Sequence, residues 1–317
     1  MLYTLSENLN LWVVRYFLDI FLSVISIYTF ILLGFFAKFK LKDELQEKSL
    51  VIISIYFLQP ILTFWGLSTK QIDSNLLKVP LLYTLISIGT ILISFFIAKA
   101  FFTDAKERSI ITISSVIGNT GNLGIPIGIA LFGNDSVIYT SLINIANIFI
   151  IYTIGVFFYS RGTFSIKESL LNILKLPLIW FALLAIIFNV LQIQIHPSIE
   201  NSLKMGAYAS MVLQLMIFGM FLYSVKIKNI NKKLLLHVSI IKFIIIPILA
   251  ILILHHLGLS QFVMGVLMLE LLVPLAVTNV NLASLYDCKP LDVTFLVLFT
   301  SLLFIPYILV LYERIYH

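Results

Sequence analysis

Ten apolar runs of roughly twenty residues, set apart by short segments that hold most of the charge, divide this chain of 317 residues. A helical run of ~20 apolar residues matches the ~30 Å hydrocarbon thickness of a bilayer. In lipid, only a helix or a closed barrel satisfies its own backbone polar groups. The runs occupy 17–37, 49–68, 80–100, 109–132, 137–160, 173–192, 199–224, 234–256, 260–285 and 291–312, and they are referred to as spans 1 to 10. The expected fold is therefore an all-α membrane protein with ten transmembrane helices and the lipid bilayer as its solvent. Composition agrees: hydrophobic types make up 60% and charged types 11%, against roughly a quarter charged in soluble domains. The single cysteine, Cys288, excludes an intrachain disulfide, and no Cys/His cluster suggests a structural zinc site. A net charge of +6 would point to nucleic acid in a soluble chain. Here its distribution among loops carries the information, and no nucleic-acid partner is expected. Residues 1–16 lack the cationic start and small-residue cleavage site of a signal peptide, and the first apolar run is too long for one, so no cleavage is expected. Pro80, Pro197 and Pro290 stand where spans 3, 7 and 10 begin, positions at which a missing N–H costs nothing.

Orientation follows from Lys and Arg. The loops after odd-numbered spans hold fifteen of them, and the termini with the remaining loops hold Arg15, Lys70, Lys78, Lys204 and Arg314. Cation-rich loops stay cytoplasmic, so both termini are expected outside, in a multi-pass protein of the plasma membrane. Adding about 155 to the starts of spans 1 to 5 lands near the starts of spans 6 to 10. Two copies of an odd-span unit must insert with opposite orientation, which makes a 5+5 inverted repeat. The expected units are 1–160 and 161–317. Under that offset Leu58-Gln59 falls on Leu213-Gln214. Ten unrelated helices of similar length would give the same layout.

Span 4 and the residue directly after it hold Gly118, Gly121, Gly124, Gly128 and Gly133, five of the fourteen glycines in the chain, together with Pro126. An interior Gly costs ~1 kcal/mol against Ala and an interior Pro ~3 kcal/mol, so the helix should break between Gly118 and Pro126. Unwound backbone is tolerated at membrane depth only inside protein or beside a water-filled cavity. Asn119, Thr120 and Asn122 there are uncharged hydrogen-bonding groups suited to a ligand. Span 9 has a counterpart in which Pro274 precedes Thr278, Asn279 and Asn281. Broken helices at matching depth in two inverted halves point to a transporter binding site at the midplane. Close helix packing would also use small residues at such spacing. The second half-helix after each break begins with N–H groups that carry about half a positive charge, so an anionic ligand can be held there without a buried Arg.

Two ionisable residues lie deep in spans. Glu270, one turn before Pro274, is the candidate coupling-ion group, either binding Na+ with Asn and Thr oxygens and freed carbonyls or carrying a proton. A structural pair with Lys242 or a packing hydrogen bond explains it equally. Lys242, eight residues into span 8, either snorkels to the cytoplasmic interface or takes part in that pair. Asn144 and Asn147 share one face of span 5 and either line the site or join helices. No cofactor is implied, and no nucleophile–base constellation, phosphate-cradling loop or HExxH motif points to an enzyme.

These residues resemble the auxin efflux carrier (PIN-like) transporter family, in its bacterial form with a short central loop. The resemblance rests on GNTGNLGIPI at 118–127, FG at 132–133, KFIIIP at 242–247, PLAVTNVNLASLYD at 274–287 and TS at 300–301. It covers nearly the whole chain. It implies a fold similar to bile acid sodium symporters, with broken helices 4 and 9 crossing at the substrate site. It further implies alternating-access secondary transport of small organic anions, carboxylates such as malate, malonate or auxin-like acids. Spans 1, 2, 6 and 7 would be the scaffold and the remaining spans the moving core, and scaffold helices would form a homodimer. The Asn-Pro-Asn element of plant members is replaced here by Asn119-Thr120-Gly121-Asn122. A non-transporting membrane sensor or scaffold with the same fold is the alternative, which an anion-uptake panel separates.

Overall fold

The computed structural model describes residue 22 and residues 25–68, 74–160, 174–223 and 231–316. The start of span 1 and the loop cations Arg15, Lys70, Arg161, Lys167, Lys226 and Lys228 lie outside the described residues. Along the chain run α1 (25–41), α2 (Glu47–Ser68), α3 (Ser74–Phe101), α4 (Ala105–Ile113), α5 (Thr120–Phe132) and α6 (Asn134–Tyr159). These are followed by α7 (Pro177–Val190), α8 (Pro197–Tyr223), α9 (Lys232–Leu257), α10 (Gln261–Leu272), α11 (Thr278–Leu285) and α12 (Pro290–Tyr316). Among the described residues, α2, α3, α6, α8, α9 and the 290–308 part of α12 are long and apolar enough to cross a membrane. The helices α5, α7 and α10 are shorter apolar segments, and no described residue forms a β-strand.

Helix starts carry local signals. Asp104, Asn231 and Ser260 cap α4, α9 and α10, accepting from the N–H of Glu107, Leu234 and Val263 at 3.0, 3.1 and 3.3 Å, which satisfies donors that a helix start leaves unpaired. Pro197 and Pro290 open α8 and α12 as expected. Pro80 does not open a helix: α3 begins at Ser74 and continues through the proline, because missing N–H groups in a membrane helix can be tolerated where neighbours satisfy the freed backbone.

Among the described residues, four stretches are wound wider than an α-helix, with backbone bonds spanning five residues: Ser54–Leu58, Thr120–Gly124, Ile151–Gly155 and Ile241–Ile245. Three of them end two residues before Pro60, Pro126 and Pro247. A proline ring collides with the carbonyl four residues back, and a wider turn relieves that collision.

Packing separates two groups of helices. The helices α7 and α8 pack on α2, and α1 meets α8 where a Cβ at Gly34 or Gly219 would strike backbone of the other helix. In the second group α3 packs on α4, α6 and α9, while α10 lies against α12, α9, α6 and α3, and α11 against α12. The groups touch where α2 meets α6 and α8 meets α5. Side chains such as Phe36, Leu81, Leu92, Phe96, Leu183 and Leu252 are exposed outward, an apolar surface suited to lipid rather than water.

Candidate functional site

The segments that break spans 4 and 9 lie side by side. Between α4 and α5, and between α10 and α11, the chain is extended enough to pair antiparallel. The Asn119 N–H donates to Pro274 O at 2.9 Å and the Ala276 N–H to Ile117 O at 2.9 Å, with Gly118 opposite Leu275. Neighbouring helices hold this crossover. Asn147 Nδ2 of α6 donates to Gly118 O and Thr120 Oγ1 at 2.8 and 2.9 Å. Asn279 Nδ2 donates to Ile117 O and Ala276 O at 2.9 and 3.0 Å, and its Oδ1 accepts from the Tyr159 hydroxyl at 2.9 Å. From α12, Thr300 Oγ1 accepts from the Leu275 N–H at 3.3 Å. Broken backbone at membrane depth needs this internal satisfaction.

One face of the crossover borders a cavity of about 130 Å3, large enough for a small solute or a cluster of waters. Gly118, Asn119, Thr120, Gly121 and Asn122 form one wall, Thr278 and Asn281 another, and Asn144, Asn147 and Tyr152 of α6 a third. Ser54 and Gln59 of α2 with Gln214 and Phe218 of α8 complete it. No lining residue is charged. The first turn of α5 lies here, and the N–H groups of Thr120, Gly121 and Asn122, which precede the first backbone bond from Leu123 N–H to Asn119 O, have no intrahelical acceptor, so the positive end of its dipole bears on the cavity. Several buried polar atoms on this lining have no hydrogen-bond partner: Asn119 Nδ2, Ser54 Oγ, Asn147 Oδ1 and Gln214 Oε1. Buried polar atoms are rarely left so, and four around one cavity suit a polar ligand. Thr120 Oγ1 donates to Asn144 Oδ1 at 2.9 Å, and Gln59 Nε2 to Asn122 Oδ1 at 3.4 Å.

The cavity runs toward the end of the bundle at which α2 and α7 begin and α8 ends, with Val51, Leu176 and Phe221 along it. Toward the opposite end it is closed by an apolar cluster, Leu62 and Trp65 of α2, Ile125 of α5, Val137 of α6, and Ala207 and Met211 of α8. Gly66 lies in this seal, where an added Cβ would overlap Ser141 Oγ of α6.

The expected site residues therefore separate. Asn119, Thr120, Gly121, Asn122, Asn144, Thr278 and Asn281 border the cavity. Asn279 does not, its amide being taken up inside the crossover. Pro274 contributes its carbonyl to the backbone pairing, and Pro126 is buried in the second turn of α5. Gly124 faces Glu270: a Cβ there would overlap the carboxylate. Glu270 is 0% exposed, and neither of its carboxylate oxygens has a hydrogen-bond partner. Lys242 is 1% exposed, so it does not snorkel. Its Nζ donates to Ser115 O at 3.1 Å and Leu271 O at 2.9 Å. The two charged side chains do not hydrogen-bond each other, and neither borders the cavity. The lining residues Ser54, Gln59, Gln214 and Tyr152 were not foreseen. Gln59 and Gln214 could have been, since they are the letters that match between the two halves.

Residues 19–312 match the membrane transport protein family. Over 274 residues, 83% of this chain and 88% of the relative, the sequence is 27% identical to an uncharacterized transporter of Methanocaldococcus jannaschii.

Proposed function

The chain belongs to the membrane transport protein family, the auxin efflux carrier (PIN-like) family that its motifs resemble, and from that premise we propose that it is a secondary transporter of small organic anions. It works by alternating access at the crossover of spans 4 and 9. The observation that carries this reading is the uncharged cavity on which Asn119 Nδ2 and the first turn of α5 converge. A carboxylate accepts hydrogen bonds from amide and backbone N–H groups, and a helix start supplies the compensating positive potential. The absence of Lys and Arg from the lining lets the anion leave as readily as it enters. Malate, malonate and auxin-like acids are the substrate class to test.

The reading includes ten transmembrane helices in a 5+5 inverted repeat of units 1–160 and 161–317. Supporting it, broken helices from the two units pair antiparallel, and Gln59 and Gln214, related by the 155-residue offset, both border the cavity. With cation-rich loops inside, in the plasma membrane, both termini are extracellular and the cavity of this conformation faces the cytoplasm. The cluster around Trp65 is then the closed outer gate. The group of α1, α2, α7 and α8 is the scaffold and the dimer-forming part, and the rest is the moving core. Glu270 is the coupling group, taking Na+ or a proton.

Uptake of radiolabelled dicarboxylates, monocarboxylates and indole acids into proteoliposomes, under imposed Na+, proton and voltage gradients, tests the proposal. Saturable uptake of at least one acid is expected. No flux of any anion under any gradient would sink it and favour a non-transporting sensor with this fold.

A further inference from the structure

The two half-helices that stop at the crossover, α4 and α10, end with carbonyls that have no continuing helix to accept from, and each end carries partial negative charge. Such a pair of carbonyl-bearing ends, buried and facing one another, is a place where a coupling metal ion would be held by backbone oxygen. Here the place is taken. Lys242 Nζ donates to Ser115 O just beyond the end of α4 and to Leu271 O in the last turn of α10, at 3.1 and 2.9 Å. The wide turn Ile241–Ile245 contains Lys242, and the ammonium lies within van der Waals reach of where a Cβ on Gly118 would stand.

Most of the other crossover oxygens are also committed. In the first break Val116 O, Ile117 O and Gly118 O accept from Gly118 N–H, from Ala276 N–H with Asn279 Nδ2, and from Asn147 Nδ2. In the second break Pro274 O, Ala276 O and Val277 O accept from Asn119, Asn279 and Val280 N–H groups. Asn279 Oδ1 is bonded to Tyr159. Thr278 and Asn281, two further side chains suited to a metal ion, border the cavity. No hydrogen bond ties the Glu270 carboxylate to any of these groups, whereas a hard cation held there would need about six oxygens. Lys242 of α9 and Tyr83 of α3 are the charged or titratable groups that face it, and its carboxylate is unpartnered. An unpaired ion in such surroundings is costly, whereas the same group carrying a proton is neutral.

We propose that the Lys242 ammonium is a tethered cation filling the position between the ends of α4 and α10 that a coupling metal ion would occupy, and that the exchangeable cation is a proton bound and released by Glu270. This rests on the transport reading of the crossover and decides between the two ions left open there. Transport is then independent of Na+.

Two measurements test it. In the first, the purified protein in detergent is melted in sodium chloride and in choline chloride of equal ionic strength. Wild type should unfold at the same temperature in both. Lys242→Ala should melt lower in choline chloride and recover part of that loss in sodium chloride or methylammonium chloride, as a free cation enters the vacated position. A Na+-specific rise in the wild-type melting temperature, or a Lys242→Ala protein as stable as wild type in choline chloride, would overturn the proposal. Should Lys242→Ala fail to fold, the wild-type comparison alone decides. In the second, anion uptake into proteoliposomes is driven by a proton gradient with Na+ replaced by choline. Wild type should respond to the proton gradient and not to Na+, and Glu270→Gln should lose the response to the proton gradient. Wild-type uptake that needs Na+, or Glu270→Gln uptake that keeps the wild-type response, overturns it. Absence of any anion flux would count against the transport reading, and the melting comparison still decides what occupies the position between α4 and α10.

Discussion

Asn279 and Asn281 stand two residues apart on α11 and do different work. About 100° of rotation per residue turns their side chains to nearly opposite faces, Asn281 to the cavity and Asn279 into the crossover. Asn119→Ala removes an unpartnered amide donor from the cavity and leaves the backbone pairing with Pro274 intact. It should weaken substrate binding by ~1–3 kcal/mol with an unchanged melting temperature, measured by substrate competition and thermal unfolding. Equal affinity in wild type and mutant would remove Asn119 from the site. Asn279→Ala strips hydrogen bonds from Ile117 O and Ala276 O and orphans the Tyr159 hydroxyl. It should lower stability by at least ~2 kcal/mol, and a protein that melts like wild type but fails to bind would reverse the two roles. In the sequence these asparagines look alike, because residue type says that an amide can bind but not what it faces. Gln59 is no different: on an apolar span its type does not say what it faces, and only its match with Gln214 marks it.

At the level of elements, the breaks were legible because glycine and proline carry an intrinsic cost in helices that lipid cannot offset. The wide turns at Ser54–Leu58 and Ile151–Gly155 were not, since one isolated glycine, Gly155, or none at all does not mark a break, and the register shift comes from a proline downstream or from packing. Pro126→Ala should let the Thr120–Gly124 turn tighten toward an α-helix, rotating Asn119 and Asn122 away from the cavity. We expect lower flux with equal or higher melting temperature, and unchanged flux would show that the proline does not maintain the open turn. The loop ends have their own device. Glu107 Oε1 accepts from Asn231 Nδ2 at 2.8 Å and from Lys289 Nζ at 2.6 Å, which ties the starts of α4, α9 and α12. Beside it, the Asp104 carboxyl is held below the ordinary carboxylate range by the Glu107 N–H it caps and by Lys289. A depressed folded-state value gives stability that is complete above the unfolded-state value near ~3.9 and is lost as pH falls through the folded one. Asp104→Ala should therefore cost ~1 kcal/mol at neutral pH, the usual loss of an N-cap, and the difference from wild type should vanish in acid. A deficit that persists in strong acid would mean that the effect is not that of the carboxylate.

Over the whole molecule, one conformation is fixed by an asymmetry between the two ends of the same cavity. On α2, Gln59 borders the cavity, whereas Leu62, one turn further along, is 3% exposed inside the apolar seal with Trp65. The seal closes between the two helix groups where Gly66 lets α2 lie against Ser141 of α6. The only cysteine in the chain, Cys288, is buried, so introduced cysteines report with little background. Gln59→Cys should react with a membrane-impermeant maleimide from the cytoplasmic face in inside-out vesicles and stay protected in right-side-out ones. Leu62→Cys should be protected from both. Adding Gly66→Val puts branched carbon into Ser141 and should force the seal apart, so that Leu62→Cys becomes reactive from outside. Under the alternating-access reading proposed above, the two helix groups exchange which side is closed for the substrate to cross, and Gly66, where α2 and α6 touch, then sets that balance through the energy of the closed contact. If Gln59→Cys instead labels from the outside, the loop charges have been read with the wrong sidedness. If Leu62→Cys stays protected after Gly66→Val, the cluster around Trp65 is static core and not a gate.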